Sequence, residues 1–227
     1  MCQSDATPHH PVHRDEPACR GCPGDAARRE FFDEIAGGWD VRVVTDAFKA
    51  RLRAAIESLG IAVDETVLDL GCGTGNLTRL LAERLGPGSS IIAADFSQGM
   101  LDVARGKLPD DPRIRWACAH ADSLPVESAS VDRAICFSAW PHFAQPEQVA
   151  TELWRVLRPG GLFHVLHVDG RETINRIHAH AGPAVAHDLL PPAVKLAMLL
   201  GGVGFEPLVM VDEADYYLVT VARPTEA

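Results

Sequence analysis

The segment Val67-Leu68-Asp69-Leu70-Gly71-Cys72-Gly73-Thr74-Gly75-Asn76 constrains the fold more than any other part of the chain. An apolar run of strand length enters a turn with glycine at alternate positions, and a helical pattern leaves it. Glycine permits positive φ there and lets a ligand approach the backbone closely. Ligands of open α/β sheets bind at the carboxyl edge of the strands, where such a turn lies. A dinucleotide site requires G-x-G-x-x-G, with the pyrophosphate on the helix N-terminus. Here the third glycine, Gly75, comes one residue early, and Asn76 stands in its expected place. Asp69, two residues before the first glycine, opposes a pyrophosphate and suits a cationic ligand.

The surrounding pattern agrees with this fold. Strand-like runs at Thr66–Leu70, Ser90–Ala94, Ile114–Cys118, Val131–Phe137 and Leu162–Val168 alternate with helical patterns at Asn76–Leu85, Ser97–Lys107 and Pro146–Leu157. Pro159-Gly160-Gly161 is expected to stop the last of these helices. Strands separated by helices imply right-handed βαβ units and a mostly parallel sheet. Near the end, Glu206–Val211 and Tyr216–Val221 are separated by too few residues for a crossover, so they form an antiparallel hairpin. Before the first strand, one helix is expected from Asp25 through Ile35, broken by Gly37-Gly38, and a second over about Thr45–Leu59. The fold class is α/β, a Rossmann-like three-layer sandwich. Residues 26–227 form its single domain, and residues about 26–60 form a helical lid.

Two further carboxylates sit at strand ends. Asp95 closes Ile92-Ala93-Ala94 and can accept both hydroxyls of a ribose, although a helix-cap role is the simpler alternative. Asp122, in Ala121-Asp122-Ser123-Leu124-Pro125, can accept an adenine exocyclic amine, with Leu124 and Met100 on the ring faces.

With these residues in place, the chain resembles a class I S-adenosylmethionine-dependent methyltransferase of the broad small-molecule type. The matching pieces are LDLGCGTG at 68–75, AADFSQGML at 93–101, ADSLP at 121–125, VDRAICFSAWPHF at 131–143 and LRPGGLF at 157–163. The resemblance covers roughly residues 30–223 and implies a seven-stranded sheet ending in an antiparallel hairpin. It implies S-adenosylmethionine as cofactor and S-adenosylhomocysteine as product. Asp69, Gly71, Cys72, Gly73 and Gly75 would hold the methionine end, and Asp95 the ribose, with Phe96 and Met100 beside it. Asp122, Ser123 and Leu124 would hold the adenine, and Ser138 would lie beside the transferable methyl. Phe32 and Trp39 resemble the aromatic lid residues of the family's N-terminal helix.

Methyl transfer to a sulfonium-activated carbon requires a base only when the acceptor must lose a proton. Histidines are the candidates. His164 and His167 fall on opposite faces of their strand. His167 lies with Asp169 at the carboxyl end, His142 follows the fourth strand, and His178 and His187 follow the fifth. His142, His167, His178 and His187 are expected to line the acceptor pocket, with one or two acting as base. A metal is the alternative use of imidazole, but the spacing matches no recognised zinc pattern and the metal is left open. A non-catalytic nucleoside-binding or regulatory module, and a metal- or metalloid-handling methyltransferase using the His and Cys residues, remain as other readings.

Composition narrows the partners. The net charge of -10 repels nucleic-acid phosphates, and no lysine or arginine cluster offsets it, so a small-molecule acceptor is expected. No apolar run reaches membrane-spanning length, and the N-terminus lacks the pattern of a secretory signal, so a cytoplasmic monomer or homodimer is expected. Residues 1–25 carry Pro8, Pro11, Pro17 and Pro23 without hydrophobic period and read as a flexible extension. Its Cys19-x-x-Cys22 pair, with His9, His10 and His13 upstream, is modest support for zinc, a disordered tail being the simpler alternative.

Overall fold

The computed structural model describes residues 23–108 and 110–225. The Cys/His tail, with Cys2, Cys19, Cys22, His9, His10 and His13, lies outside the described residues.

The Gly71 turn follows β1 (Thr66–Leu70), an interior strand of a seven-stranded sheet. The other strands are β2 (Ser90–Asp95), β3 (Ile114–Cys118), β4 (Val131–Phe137), β5 (Leu157–His167), β6 (Glu206–Asp212) and β7 (Tyr217–Ala222). Their order is β3-β2-β1-β4-β5-β7-β6. The pairs among β1 to β5 are parallel, whereas β7 runs antiparallel to both β5 and β6. The strand order runs outward through β1, β2 and β3 on one side and through β4 and β5 on the other, and this switch point between β1 and β4 opens the crevice that α/β folds use for ligands.

The helices are α1 (Pro23–Ile35), α2 (Trp39–Val43), α3 (Asp46–Ser58), α4 (Asn76–Arg84), α5 (Gln98–Lys107), α6 (Pro146–Val156), α7 (Arg171–Ala181) and α8 (Ala193–Val203). The caps are those their sequences provide. Thr45 Oγ1 accepts from Phe48 N at 3.1 Å, and Ser97 Oγ from Met100 N at 3.1 Å.

The alternation of β1 divides the core. Val67 joins Leu52, Ile56, Leu77 and Leu81 of α3 and α4 on one face. Leu68 and Leu70 join α6 and α8 residues, among them Leu153 and Leu196, on the other. A third, smaller cluster seats the lid: Phe32 and Ala36 pack against Met100 of α5 and Val185. No helix among the described residues is long and apolar enough to cross a membrane.

Three expectations are corrected. Helix α1 begins at Pro23, inside the segment read as an extension, and Asp25 lies in its first turn. Trp39 begins a short helix where only a break was expected. Pro159-Gly160-Gly161 lies inside β5, which starts at Leu157. Gly160 takes φ +81 there and its amide bonds to Arg223 O at 2.7 Å, so the kinked stretch stays in the sheet.

Candidate functional site

A cleft of about 1210 Å³, open to solvent on one side, lies over the carboxyl ends of β1, β2 and β4. The glycine turn forms its floor. Gly71 has φ +71, and a Cβ there would lie 2.5 Å from the Ala139 Cβ. Gly75 has φ +78, and its Cβ would meet Ala104 at 3.0 Å. Only glycine lets the turn press against the β4 loop on one side and α5 on the other. Gly75 shapes the turn from behind and does not line the cleft.

Asp69 is the most informative side chain. It lines the cleft and is buried, and its Oδ2 accepts from Thr78 Oγ1 of α4 at 2.6 Å. Its Oδ1 is buried and has no hydrogen-bond partner. Burial, outweighing the Thr78 hydrogen bond and aided by the nearby Asp95 charge, raises its pKa to about 7. An acceptor oxygen left bare in this way is costly unless a donor arrives from a ligand. Asp95 is also buried, and its two oxygens accept from Gly73 N at 2.8 Å and Ser97 N at 2.9 Å. It therefore ties the turn to α5 while lining the cleft, and burial raises its pKa too. The Cys72 thiol is pushed up by burial and by the Asp95 and Asp69 charges, so it stays protonated. Asp122 and Ser138 complete the polar lining. Ser138 adopts φ +54, a rare conformation for a residue with a side chain, and its amide bonds to Leu166 O at 3.0 Å.

The opposite wall is aromatic. Phe32 contacts Trp39, Phe96 and His142 at ring-centroid distances of 6.4, 6.0 and 4.9 Å. Phe48, Phe137 and Phe143 extend the apolar surface, and no lysine or arginine lines the cleft among the described residues. The lid is pinned by carboxylates that sequence reasoning missed. Asp40 of α2 accepts from Thr74 Oγ1 at 2.6 Å and Asn76 Nδ2 at 3.1 Å. Asp33 of α1 accepts from Ser97 Oγ at 2.6 Å and Gly99 N at 2.9 Å.

The expected site residues separate into groups. Phe32, Trp39, Asp69, Gly71, Cys72, Gly73, Asp95, Phe96, Met100, Asp122, Ser138 and His142 all line the cleft. Ser123 is exposed beside it. Leu124 turns into the main core, and its amide donates to Glu152 Oε1 at 2.7 Å, so it does not face a ligand ring. His120, not anticipated, lines the cleft with a buried Nε2 that has no partner.

The four histidines do not form one wall. His142 lines the cleft, and its Nδ1 lies 2.8 Å from Asp188 Oδ2. His178 stands behind it, with ring centroids 4.7 Å apart and its Nδ1 2.6 Å from Asp188 O. His167 is buried beneath, edge-on to Tyr217, with both ring nitrogens unpartnered. Burial, with the neighbouring His142 and His178, lowers its pKa to about 3, so it is neutral. His187 is exposed and outside the cluster; its neighbour Asp188 points inward instead. His164 is a core residue, bonded at Nε2 to Arg133 and at Nδ1 to Thr220 at 2.8 and 2.9 Å. Among the described residues no group of three His, Cys, Asp or Glu side chains is arranged to hold a metal ion.

A strand–glycine turn–helix with a buried, half-satisfied carboxylate and a second one at the next strand end defines a nucleoside-type site for a cationic ligand. Residues 68–165 match the family described as "Methyltransferase domain". A demethylmenaquinone methyltransferase of Thermus thermophilus is 35% identical over 140 residues, which are 60% of this chain and 63% of that protein. One of Clavibacter sepedonicus is 33% identical over 134 residues, 58% of this chain and 54% of that protein. The chain thus spans about half the length of these curated relatives. The methyltransferase solved in complex with the Haloferax volcanii Trm112 activator superimposes with a TM-score of 0.72 at 19% identity, covering 85% of this chain and 97% of that one. Over these stretches the chain is similar in sequence to methyltransferases, and its fold is similar to that of solved methyltransferases. Asp69 Oδ1 fits the cofactor's ammonium, which would supply the missing donor.

Proposed function

We propose that this protein binds S-adenosylmethionine in the cleft and transfers its methyl group to a small, largely apolar acceptor. The unpartnered Oδ1 of Asp69 carries the reading: a buried carboxylate lining a cleft without lysine or arginine suits a cationic ligand. In this reading Asp69 and the Gly71–Gly73 backbone hold the methionine end, Asp95 the ribose and Asp122 the adenine. Bound S-adenosylmethionine supplies an electrophilic methyl carbon. The chain's own contribution is to orient it, to exclude water through Phe32 and Trp39, and to place the acceptor beside Ser138 and His142.

The aromatic wall and the absence of cationic side chains favour an apolar acceptor without anionic groups. Kinship with proteins named demethylmenaquinone methyltransferases supports the same class. Calorimetry with S-adenosylmethionine and S-adenosylhomocysteine tests the cofactor half; absence of binding by both ends the proposal. Incubation with labelled S-adenosylmethionine and fractionated metabolite pools tests transfer. Label appearing in organic-soluble products is expected, and label appearing only in protein or nucleic acid contradicts the small-molecule acceptor.

A further inference from the structure

Asp188 is buried and joins three parts of the chain that are far apart in sequence. Arg28, from lid helix α1, reaches it with Nε 2.9 Å from Oδ2 and 3.1 Å from Oδ1. His142, after β4, reaches Oδ2 through Nδ1 at 2.8 Å. His178, from α7, reaches the backbone carbonyl of the same residue through Nδ1 at 2.6 Å. Burial opposes ionisation of Asp188, but the hydrogen bonds from His142 and Arg28 prevail and keep its carboxyl below the usual range. An ionised carboxylate only accepts, so the shared proton must sit on Nδ1 of His142. In the neutral ring the other nitrogen, Nε2, is then bare. It has no hydrogen-bond partner among the described residues, and its ring lines the cleft.

We propose that Asp188 is a positioning residue that holds His142 in the Nδ1–H tautomer, making Nε2 the base for an acceptor whose nucleophile carries a proton. The inference rests on the methyltransferase reading and narrows its acceptor to an O–H, N–H or acidic C–H group. The step balances. The acceptor's electron pair bonds to the methyl carbon, the carbon–sulfur bond breaks with its pair left on sulfur, and the acceptor proton passes to Nε2. The positive charge lost from sulfur appears on the imidazolium, next to the Asp188 carboxylate. Arg28 and Phe32 both come from α1, so a seated lid also completes the setting of the base. The other groups electrostatically close to His142 are Asp95 at the end of β2, His167 on β5 and His178 on α7. His167 is neutral.

The substitution Asp188→Asn makes a sharp test. Arg28 has donors only, so the new amide oxygen turns to it and the amide NH₂ faces His142. The ring must then accept at Nδ1 and carry its proton on Nε2. Long-range ¹H–¹⁵N spectra of ¹⁵N-histidine-labelled full chain, at a pH where His142 is neutral, read the tautomer directly. The wild type, with and without S-adenosylhomocysteine, is expected to show protonated Nδ1 and bare Nε2. Asp188→Asn is expected to exchange the two. A wild-type ring protonated on Nε2 overturns the proposal, as does an unchanged tautomer in Asp188→Asn. The wild-type spectrum decides the matter even if the variant does not fold. Calorimetry with S-adenosylhomocysteine on the same samples separates the two levels. Binding together with the wrong tautomer removes only the dyad, whereas no binding removes the cofactor reading and the dyad with it.

Discussion

The two halves of the cleft are built by different means. The cofactor half is local: Asp69, Gly71, Gly73 and Gly75 lie within seven consecutive positions, and Asp95 closes the adjacent, paired strand. Its geometry comes from positive-φ glycines and backbone amides. The side proposed for the acceptor is assembled from Arg28, Phe32, His142, His178 and Asp188, which come from four separate segments of the chain. A site made of one strand and its following turn has a local signature. A site made of side chains from four segments has none, because each residue is unremarkable in its own surroundings.

The comparison predicts different sensitivities in the two halves. The largest effect is expected from Gly71→Ala. Forcing a side chain to φ +71 costs roughly 1–2 kcal/mol, and the overlap with Ala139 costs about as much again. Thermal melts should show a loss of about 3 kcal/mol, and calorimetry should show no S-adenosylhomocysteine binding; wild-type affinity would show that the turn does not approach the ligand.

Next, Asp188→Ala should cost about 2–4 kcal/mol in a denaturant melt, because it leaves Arg28 and His142 without their shared anion. Cofactor affinity should change far less than stability. Asp69→Asn should behave in the opposite way. Losing a charge-assisted hydrogen bond to a cation lowers S-adenosylmethionine affinity by about 10- to 100-fold. The fold itself changes little, since a neutral side chain avoids the burial penalty on the carboxylate. Equal losses of affinity and stability in both variants would erase the distinction between the halves.

The acid–base behaviour sharpens the same contrast. The folded-state pKa of Asp69, about 7, lies above its ordinary 3.8. In the ligand-free protein its contribution to stability is therefore full below about pH 4 and is lost as pH rises through about 7. His167 acts in reverse. Its folded pKa, about 3, lies below 6.5, so its contribution is present above pH 6.5 and is lost as pH falls toward 3. Urea melts of Asp69→Asn and His167→Phe across pH 4–8 should show stability profiles that deviate from wild type with opposite slopes. The smallest effect belongs to His187→Ala. An exposed histidine outside the cluster should change stability and cofactor affinity within about 0.5 kcal/mol.

The legibility of the sequence follows the same division. Strands β1, β3 and β4 fall at their expected residues, because short apolar or β-branched runs between polar segments mark parallel strands of this length. The start of β5 was hidden, since Pro159 and Gly160 look like a stop until Arg223 is found bonding across to them. Leu124, next but one to Asp122, reads as a ring contact in sequence, whereas its side chain packs in the main core. His187 drew attention as a histidine, but the inward residue of that pair is Asp188. A carboxylate beside a histidine was the only local hint, and nothing nearby in sequence showed that Arg28 and His142 would converge on it.

Asp69, with its bare Oδ1, is the residue proposed to receive the cationic end of S-adenosylmethionine. Calorimetric titration of wild type with S-adenosylmethionine between pH 6 and 8, in buffers of differing ionisation enthalpy, tests this assignment most directly. Affinity should rise with pH, with release of up to about one proton per molecule bound near pH 7, and both effects should vanish in Asp69→Asn. Binding that is independent of pH and indifferent to Asp69→Asn, or no binding at all, would contradict it.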